Sequence, residues 1–151
     1  MQVRNSRFGV AWLVFAIALG FHVADEATHD FLSFYNPNVL AIRLRFPYLP
    51  LPTFTFREWL GGLIAAVVLL ICLTPLASRG VRWIRIAAWP LGILIGMGNG
   101  LAHILSSIYL HRMMPGVLSA PLLIAAGGWL VAKARRPALG RASHVALQGR
   151  T

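Results

Sequence analysis

Phe8-Gly9-Val10-Ala11-Trp12-Leu13-Val14-Phe15-Ala16-Ile17-Ala18-Leu19-Gly20-Phe21-His22-Val23-Ala24-Asp25-Glu26-Ala27-Thr28-His29-Asp30 is an apolar run that ends in a knot of ionisable groups. With Phe31 and Leu32 beyond it, the stretch is long enough for one helical crossing of a bilayer core, which takes about 20 residues. The knot holds three of the chain's 4 carboxylates, Asp25, Glu26 and Asp30, threaded with His22 and His29. His22, Asp25, Glu26 and His29 are spaced i, i+3, i+4, i+7, so a helix lines all of them along one face. Ionisable groups beside lipid are costly and face a bundle interior or a cavity. The stretch therefore predicts both a membrane helix and the place where chemistry sits.

Composition points the same way. Of 151 residues, 58% are hydrophobic and only 12% charged, against about 25% charged in ordinary soluble domains. The apolar residues gather in long blocks instead of alternating, as membrane spans do. The formal charge of +10 raises the question of nucleic acid. The arginines, however, flank apolar blocks and form no stripe with interleaved aromatics, so no nucleic-acid partner is expected. At helix ends such residues set topology and bind anionic lipid headgroups. Cys72 is the only cysteine; an intrachain disulfide and a thiolate zinc site are excluded, and its apolar setting predicts a small buried hydrophobe.

The block pattern predicts an all-α integral membrane protein, a four-transmembrane-helix bundle over residues 1–133. Its spans fall at about 8–32, 58–75, 84–110 and 114–131, followed by a basic flexible tail at 134–151. Arg4 and Arg7 before an apolar run, with Ala16-Ile17-Ala18 resembling a cleavage site, also fit a signal peptide; retention as the first span is the reading preferred. Between the first two spans, 35–56 is rich in proline and aromatics (Asn36-Pro37, Phe46-Pro47-Tyr48-Leu49-Pro50-Leu51-Pro52). The prolines argue against a regular helix, so this reads as an interfacial loop, either a lid or a connector. Trp12, Trp59, Trp83, Trp89 and Trp129 read mostly as interface anchors or lipid-facing packing.

Basic residues divide unevenly. Arg4, Arg7, Arg79, Arg82, Arg85, Lys133, Arg135, Arg136, Arg141 and Arg150 fall on one side of the spans, and Arg43, Arg45, Arg57 and Arg112 on the other. The positive-inside rule then puts both termini in the cytoplasm, most simply of a bacterial inner membrane. This order places every carboxylate, and every histidine except His144, toward the outer side. In the third span Asn99 and His103 are one turn apart, and Gly92, Gly96 and Gly100 form a small-residue series that permits close helix approach. The first and third spans are therefore expected to pack tightly, with His22 and Glu26 facing Asn99 and His103. Glu58 reads as a carboxylate at a helix N-terminus.

His22, Glu26, His29 and His103 offer nitrogen and oxygen ligands for a zinc, iron or manganese ion, with Asp25 and Asn99 orienting the imidazoles from behind. Glu26-Ala27-Thr28-His29 is a Glu-x-x-His pair of the kind used in di-iron bundles, but a second pair is absent. The metal-free alternative is proton transfer between a desolvated carboxyl group and a histidine; a purely structural polar network is the third reading.

His22-Val23-Ala24-Asp25-Glu26 resembles the signature of the HXXEE-domain family of small multi-span membrane proteins. Asn99-Gly100-Leu101-Ala102-His103 matches that family's Asn-x-x-x-His element, and Met113-Met114-Pro115-Gly116 resembles its Tyr-x-Pro-Gly element. Asp25 stands where the family has glutamate, and Met113 where it has tyrosine. The resemblance implies a membrane-bound enzyme and leaves its reaction open.

These readings converge on a membrane-embedded enzyme acting on a lipidic or amphipathic substrate. Glu26, His22 and His103 are its expected catalytic residues, with or without a divalent metal. A small proton-coupled transporter using Glu26 is the alternative, and a non-catalytic membrane protein the second. The lipid bilayer is the expected partner; a homodimer stays open.

Overall fold

The computed structural model describes residues 2–135; the expected tail, including His144, lies from residue 136 onward outside the described residues. Among the described residues the chain is all-helical. The helices are α1 (Gln2–Thr28), α2 (Phe31–Arg45), α3 (Phe56–Cys72), α4 (Thr74–Ser78), α5 (Arg82–Pro90), α6 (Asn99–Tyr109) and α7 (Ala120–Ala134), with a π-helical stretch, Leu91–Gly98, between α5 and α6. Three continuous helices are long and apolar enough to cross a membrane: Ser6–Thr28, Phe56–Ser78 and Arg82–Tyr109. The segment α7 is shorter, about 22 Å at 1.5 Å per residue. The chain reaches it through an irregular turn, 112–119, where a fourth span starting at 114 was expected. Pro115 and Gly116, the latter at φ +85, break the helical path there, whereas Pro121 sits in the first turn of α7, where its missing N–H costs nothing.

The arrangement is a row. The segment α1 packs on α3 and α4 on one side and on α7 on the other, and α7 in turn packs on the long third helix. Phe8, Trp12, Phe15 and Leu19 are buried along α1 at spacings of four, three and four, the seam that keeps one helix face toward its neighbours. Trp12 Nε1 donates to the Leu70 carbonyl at 2.7 Å. Trp12 and Trp59 are thus core residues and not interface anchors. Cys72 is exposed, contrary to expectation, because most of α3 faces outward.

Two other expectations change. The segment 31–45 is helical with Pro37 inside it; the proline removes one backbone donor, and the helix runs on to Arg45. Only the strap 46–55 is irregular, and it folds back on α2: Tyr35 Oη donates to the Pro52 carbonyl at 3.1 Å, Asn36 Nδ2 donates to the Phe54 carbonyl at 2.9 Å, and Phe54 N donates to Asn36 Oδ1 at 3.1 Å. Thr55 and Glu58 then form a reciprocal capping box that starts α3. The small-residue series of the third helix faces α7, not α1. A Cβ added at Gly96 would lie 2.8 Å from Gly127 Cα, one at Gly127 would lie 2.7 Å from the Gly92 carbonyl oxygen, and one at Gly100 would lie 3.0 Å from the Ala120 carbonyl oxygen. The segments α1 and α6 meet through side chains across this pair.

Overpacking against unyielding backbone costs about 1–3 kcal/mol, so Gly96→Ala and Gly127→Ala should lower the midpoint of thermal unfolding in detergent. Gly61 has nothing within 4 Å of an added Cβ, and Gly61→Ala should raise the midpoint by removing helix glycine, worth about 0.5–1 kcal/mol. A rise for Gly127→Ala contradicts the close crossing.

Candidate polar site

The buried seam of α1 does not stop at Leu19: three and then four residues on come His22 and Glu26, 1% and 5% exposed. They meet His103 of α6, also buried. His103 Nε2 is 3.0 Å and His22 Nε2 3.7 Å from Glu26 Oε1, and the two imidazoles stand edge to face with centroids 4.8 Å apart. One ligand atom from each of the three residues lies within 4.8 Å of the others.

Behind this cluster stands an orienting set. Ser119 Oγ donates to Asp25 Oδ2 at 2.8 Å, and Ser119 N donates to the same oxygen at 2.9 Å. With its proton given to Asp25, Ser119 Oγ accepts from His22 Nδ1–H at 2.8 Å. That leaves the lone pair of His22 Nε2 turned toward Glu26, with Asn99 Nδ2 donating to it at 3.0 Å. A carboxylate acting through a hydroxyl thus fixes tautomer and ring plane, the role outer partners play for ligating histidines. Ser119 occupies the N-cap position of α7 without capping it; its side chain is spent on Asp25 and His22 instead.

The turn 112–119 lies against the cluster. A Cβ at Gly116 would come within 2.9 Å of Cε1 of both His22 and His103, so only glycine fits there, by space and by its positive φ. The same turn is tied to α6 by Met114 N donating to Ser107 Oγ at 3.0 Å. On the α2 side, Phe31 covers His103 at 5.8 Å between centroids and stacks on Trp59 at 5.7 Å and Tyr35 at 5.6 Å. Two grooves flank the cluster without containing it. One has Phe21, Leu118 and Leu122 as its apolar part and Asp25 and Ser119 at its polar end; the other runs past Asp30, Ser33, Arg112 and Met113.

Of the expected site residues, His22, Glu26 and His103 come together, Asn99 joins them directly, and Asp25 joins through Ser119. His29 does not. It lies just past the end of α1, its side chain 53% exposed, with Nδ1 2.9 Å from Asp25 Oδ1. Its spacing keeps it on the seam's face, but two turns from His22, about 11 Å along the axis, carry it beyond the neighbouring helices. Asp30 sits at the left-handed joint between α1 and α2 and accepts from Ser33 Oγ. Ser119 went unnoticed in the sequence; its one signal is its place just ahead of Ala120-Pro121, a helix-start pattern. No family model, no curated protein and no solved structure matches the chain.

Removing the hydroxyl strips His22 Nδ1 and one side of Asp25 of their partner, which costs about 1–3 kcal/mol for buried polar groups. Ser119→Ala should therefore lower the unfolding midpoint in detergent while Ser119→Thr largely preserves it. His29→Ala, at an exposed position, should stay within about 0.5 kcal/mol of wild type; equal losses for Ser119→Ala and His29→Ala would refute the relay.

Proposed function

We propose that the protein is an integral membrane enzyme that holds one divalent metal ion, zinc, iron or manganese, through His22, Glu26 and His103 and acts on a lipidic or amphipathic substrate. The observation that carries this reading is the convergence of those three buried ligand atoms within 4.8 Å. Two ligands about 2.0–2.1 Å from a tetrahedral metal are about 3.3 Å apart; the two distances to Glu26, 3.0 and 3.7 Å, bracket that edge, and the edge between the histidines lies within 4.8 Å. The donor set, two imidazoles and a carboxylate with no thiolate, suits zinc, iron or manganese, and three protein ligands leave one position for water or substrate.

A metal so bound supplies Lewis acidity and a water acidified toward neutral pH. The chain's own residues do the rest. Ser119 and Asp25 hold His22 in the tautomer whose Nε2 lone pair would be the ligand, Asn99 would orient that ring, and Glu26 would serve as ligand or general acid–base. The groove of Phe21, Leu118 and Leu122 favours an acyl chain with its polar end beside Asp25 and Ser119. In this reading α7 and the turn before it complete a fourth crossing. Both termini are cytoplasmic and the cluster lies in the outer half of a bacterial inner membrane, as the basic-residue asymmetry supports. Irregular backbone at that depth is tolerated where it is buried in protein; within 112–119, Met114 and Gly116 are buried, Gly116 against the cluster. The likeness to HXXEE-domain proteins belongs to the same proposal: its three elements are the segments that meet at the cluster. A second reading, metal-free proton transfer between Glu26 and His103, is favoured by their direct 3.0 Å contact.

Elemental analysis of untagged, detergent-purified protein tests the choice. About one ion per chain is expected in wild type and His29→Ala, and none in His22→Ala, Glu26→Gln or His103→Ala. Well-folded wild-type protein without metal after growth and purification in zinc-, iron- and manganese-replete buffers rejects the metal reading in favour of proton transfer.

A further inference from the structure

At the end of the bundle opposite the His/Glu cluster, α5 and the C-terminal end of α7 flank an open cavity of about 300 Å³, lined by Arg82, Arg85, Ile86, Trp89, Ala134 and Arg135. Arg82, Arg85, Ile86 and Trp89 follow one another at helical spacing, so one face of α5 builds most of the wall. Arg85 is already engaged: Nη1 donates to the Lys133 carbonyl at 3.3 Å, at the end of α7 where a cation complements the helix dipole, and its guanidinium lies 4.5 Å over the Phe8 ring. Arg135 lies over the Trp89 ring at 5.7 Å. Arg82 is exposed at the start of α5.

Three guanidiniums thus share one small cavity, and no carboxylate lines it among the described residues. The sequence explains why none is at hand. After Glu58 the chain contains no Asp or Glu, and Asp25, Glu26 and Asp30 all sit at the far end of α1. Phe8, against Arg85, and Glu26 are separated by about 27 Å at 1.5 Å per residue. The balancing charge has to come from outside these side chains.

We propose that this cavity binds the phosphate headgroup of an anionic phospholipid, with Arg82 and Arg135 contacting the phosphate and Arg85 and Trp89 holding the wall. Guanidinium is the side chain best matched to phosphate oxygens, which it can meet two at a time. Basic pockets between spans at a membrane face are headgroup sites. The cavity lies where the third long apolar helix, Arg82–Tyr109, begins, at headgroup level if that helix spans. Its volume, at the low end of small-ligand sites, suits a headgroup with its acyl chains outside along Ile86. The site rests on the chain lying in a membrane but not on the metal reading.

Native mass spectrometry of delipidated protein titrated with phosphatidylglycerol or phosphatidylethanolamine tests it. Wild type should retain phosphatidylglycerol preferentially, and the double variant Arg82→Gln/Arg135→Gln should lose that preference by about tenfold. Arg112→Gln, which removes a guanidinium at the other end, should keep it. An unchanged unfolding midpoint identifies the double variant as folded; if it does not fold, the single variants Arg82→Gln and Arg135→Gln, each expected to lose part of the preference, decide. Equal lipid preference in wild type and the Arg82/Arg135 variants overturns the proposal, as does an equal loss in Arg112→Gln. Displacement of the lipid by millimolar inorganic phosphate also overturns it, assigning the cavity to a soluble anion.

Discussion

The contact of two helix backbones at Gly96 and Gly127 is the constraint on which the rest of the fold depends. Because neither residue carries a Cβ, α7 lies directly on the π-helical stretch of the third long helix, and α7 in turn carries the contact with α1. Away from the site, α7 therefore bridges α1 and the third long helix. At the level of the site α7 has not yet begun, and the irregular turn 112–119 takes its place, filling the gap with Gly116 and Ser119. The π-helical stretch matters too. It lets the helix run on past Pro90, which has no N–H to donate, and it ends where Asn99 begins. Widened turns of this kind are frequent at functional sites.

The cluster occupies positions that belong to the hydrophobic core. His22 and Glu26 continue the seam of Phe8, Trp12, Phe15 and Leu19, and apolar side chains there would pack against the same neighbours. Burying a carboxylate and two imidazoles is costly unless each polar atom is matched, and here no buried side-chain nitrogen or oxygen among the described residues lacks a partner. The matching is elaborate. Asp25, itself half-buried, holds Ser119 by two hydrogen bonds so that Ser119 can hold His22, and Gly116 gives up its side chain so that both imidazoles fit. The network recruits residues from α1, α6 and the turn, and spends its constraint on a single nitrogen, Nε2 of His22.

How much of this the sequence disclosed depended on whether the information was local. The three long apolar helices follow from block length, the start of α3 near Glu58 from its charge, and the pairing of His22 and Glu26 with Asn99 and His103 from depth along the first and third spans. What depended on a third element was hidden. The glycine series announced a close crossing without naming the partner, and α7 was the partner instead of α1. Helical spacing put His29 on the right face, but spacing carries no information about where the neighbours end. Pro37 reads as a helix breaker, yet the helix that restarts at Phe31 after the left-handed joint at Asp30 runs straight through it. Ser119 could not be found, since a serine before a helix normally caps it, and here the cap was given up for a residue far away in the chain.

Charge is segregated along the bundle, and that segregation connects its two ends. One continuous helix, α1, runs from Phe8 beneath a guanidinium to Glu26 beneath an imidazole. The acids gather where backbone amides, hydroxyls and imidazoles can receive them, and none is placed where it could neutralise Arg82 or Arg135. The two ends therefore differ in kind. One is a buried core of imidazoles and carboxylates closed by a glycine turn, its polar atoms matched within the protein. The other is an open guanidinium cavity with an aromatic wall, which no carboxylate among the described residues lines.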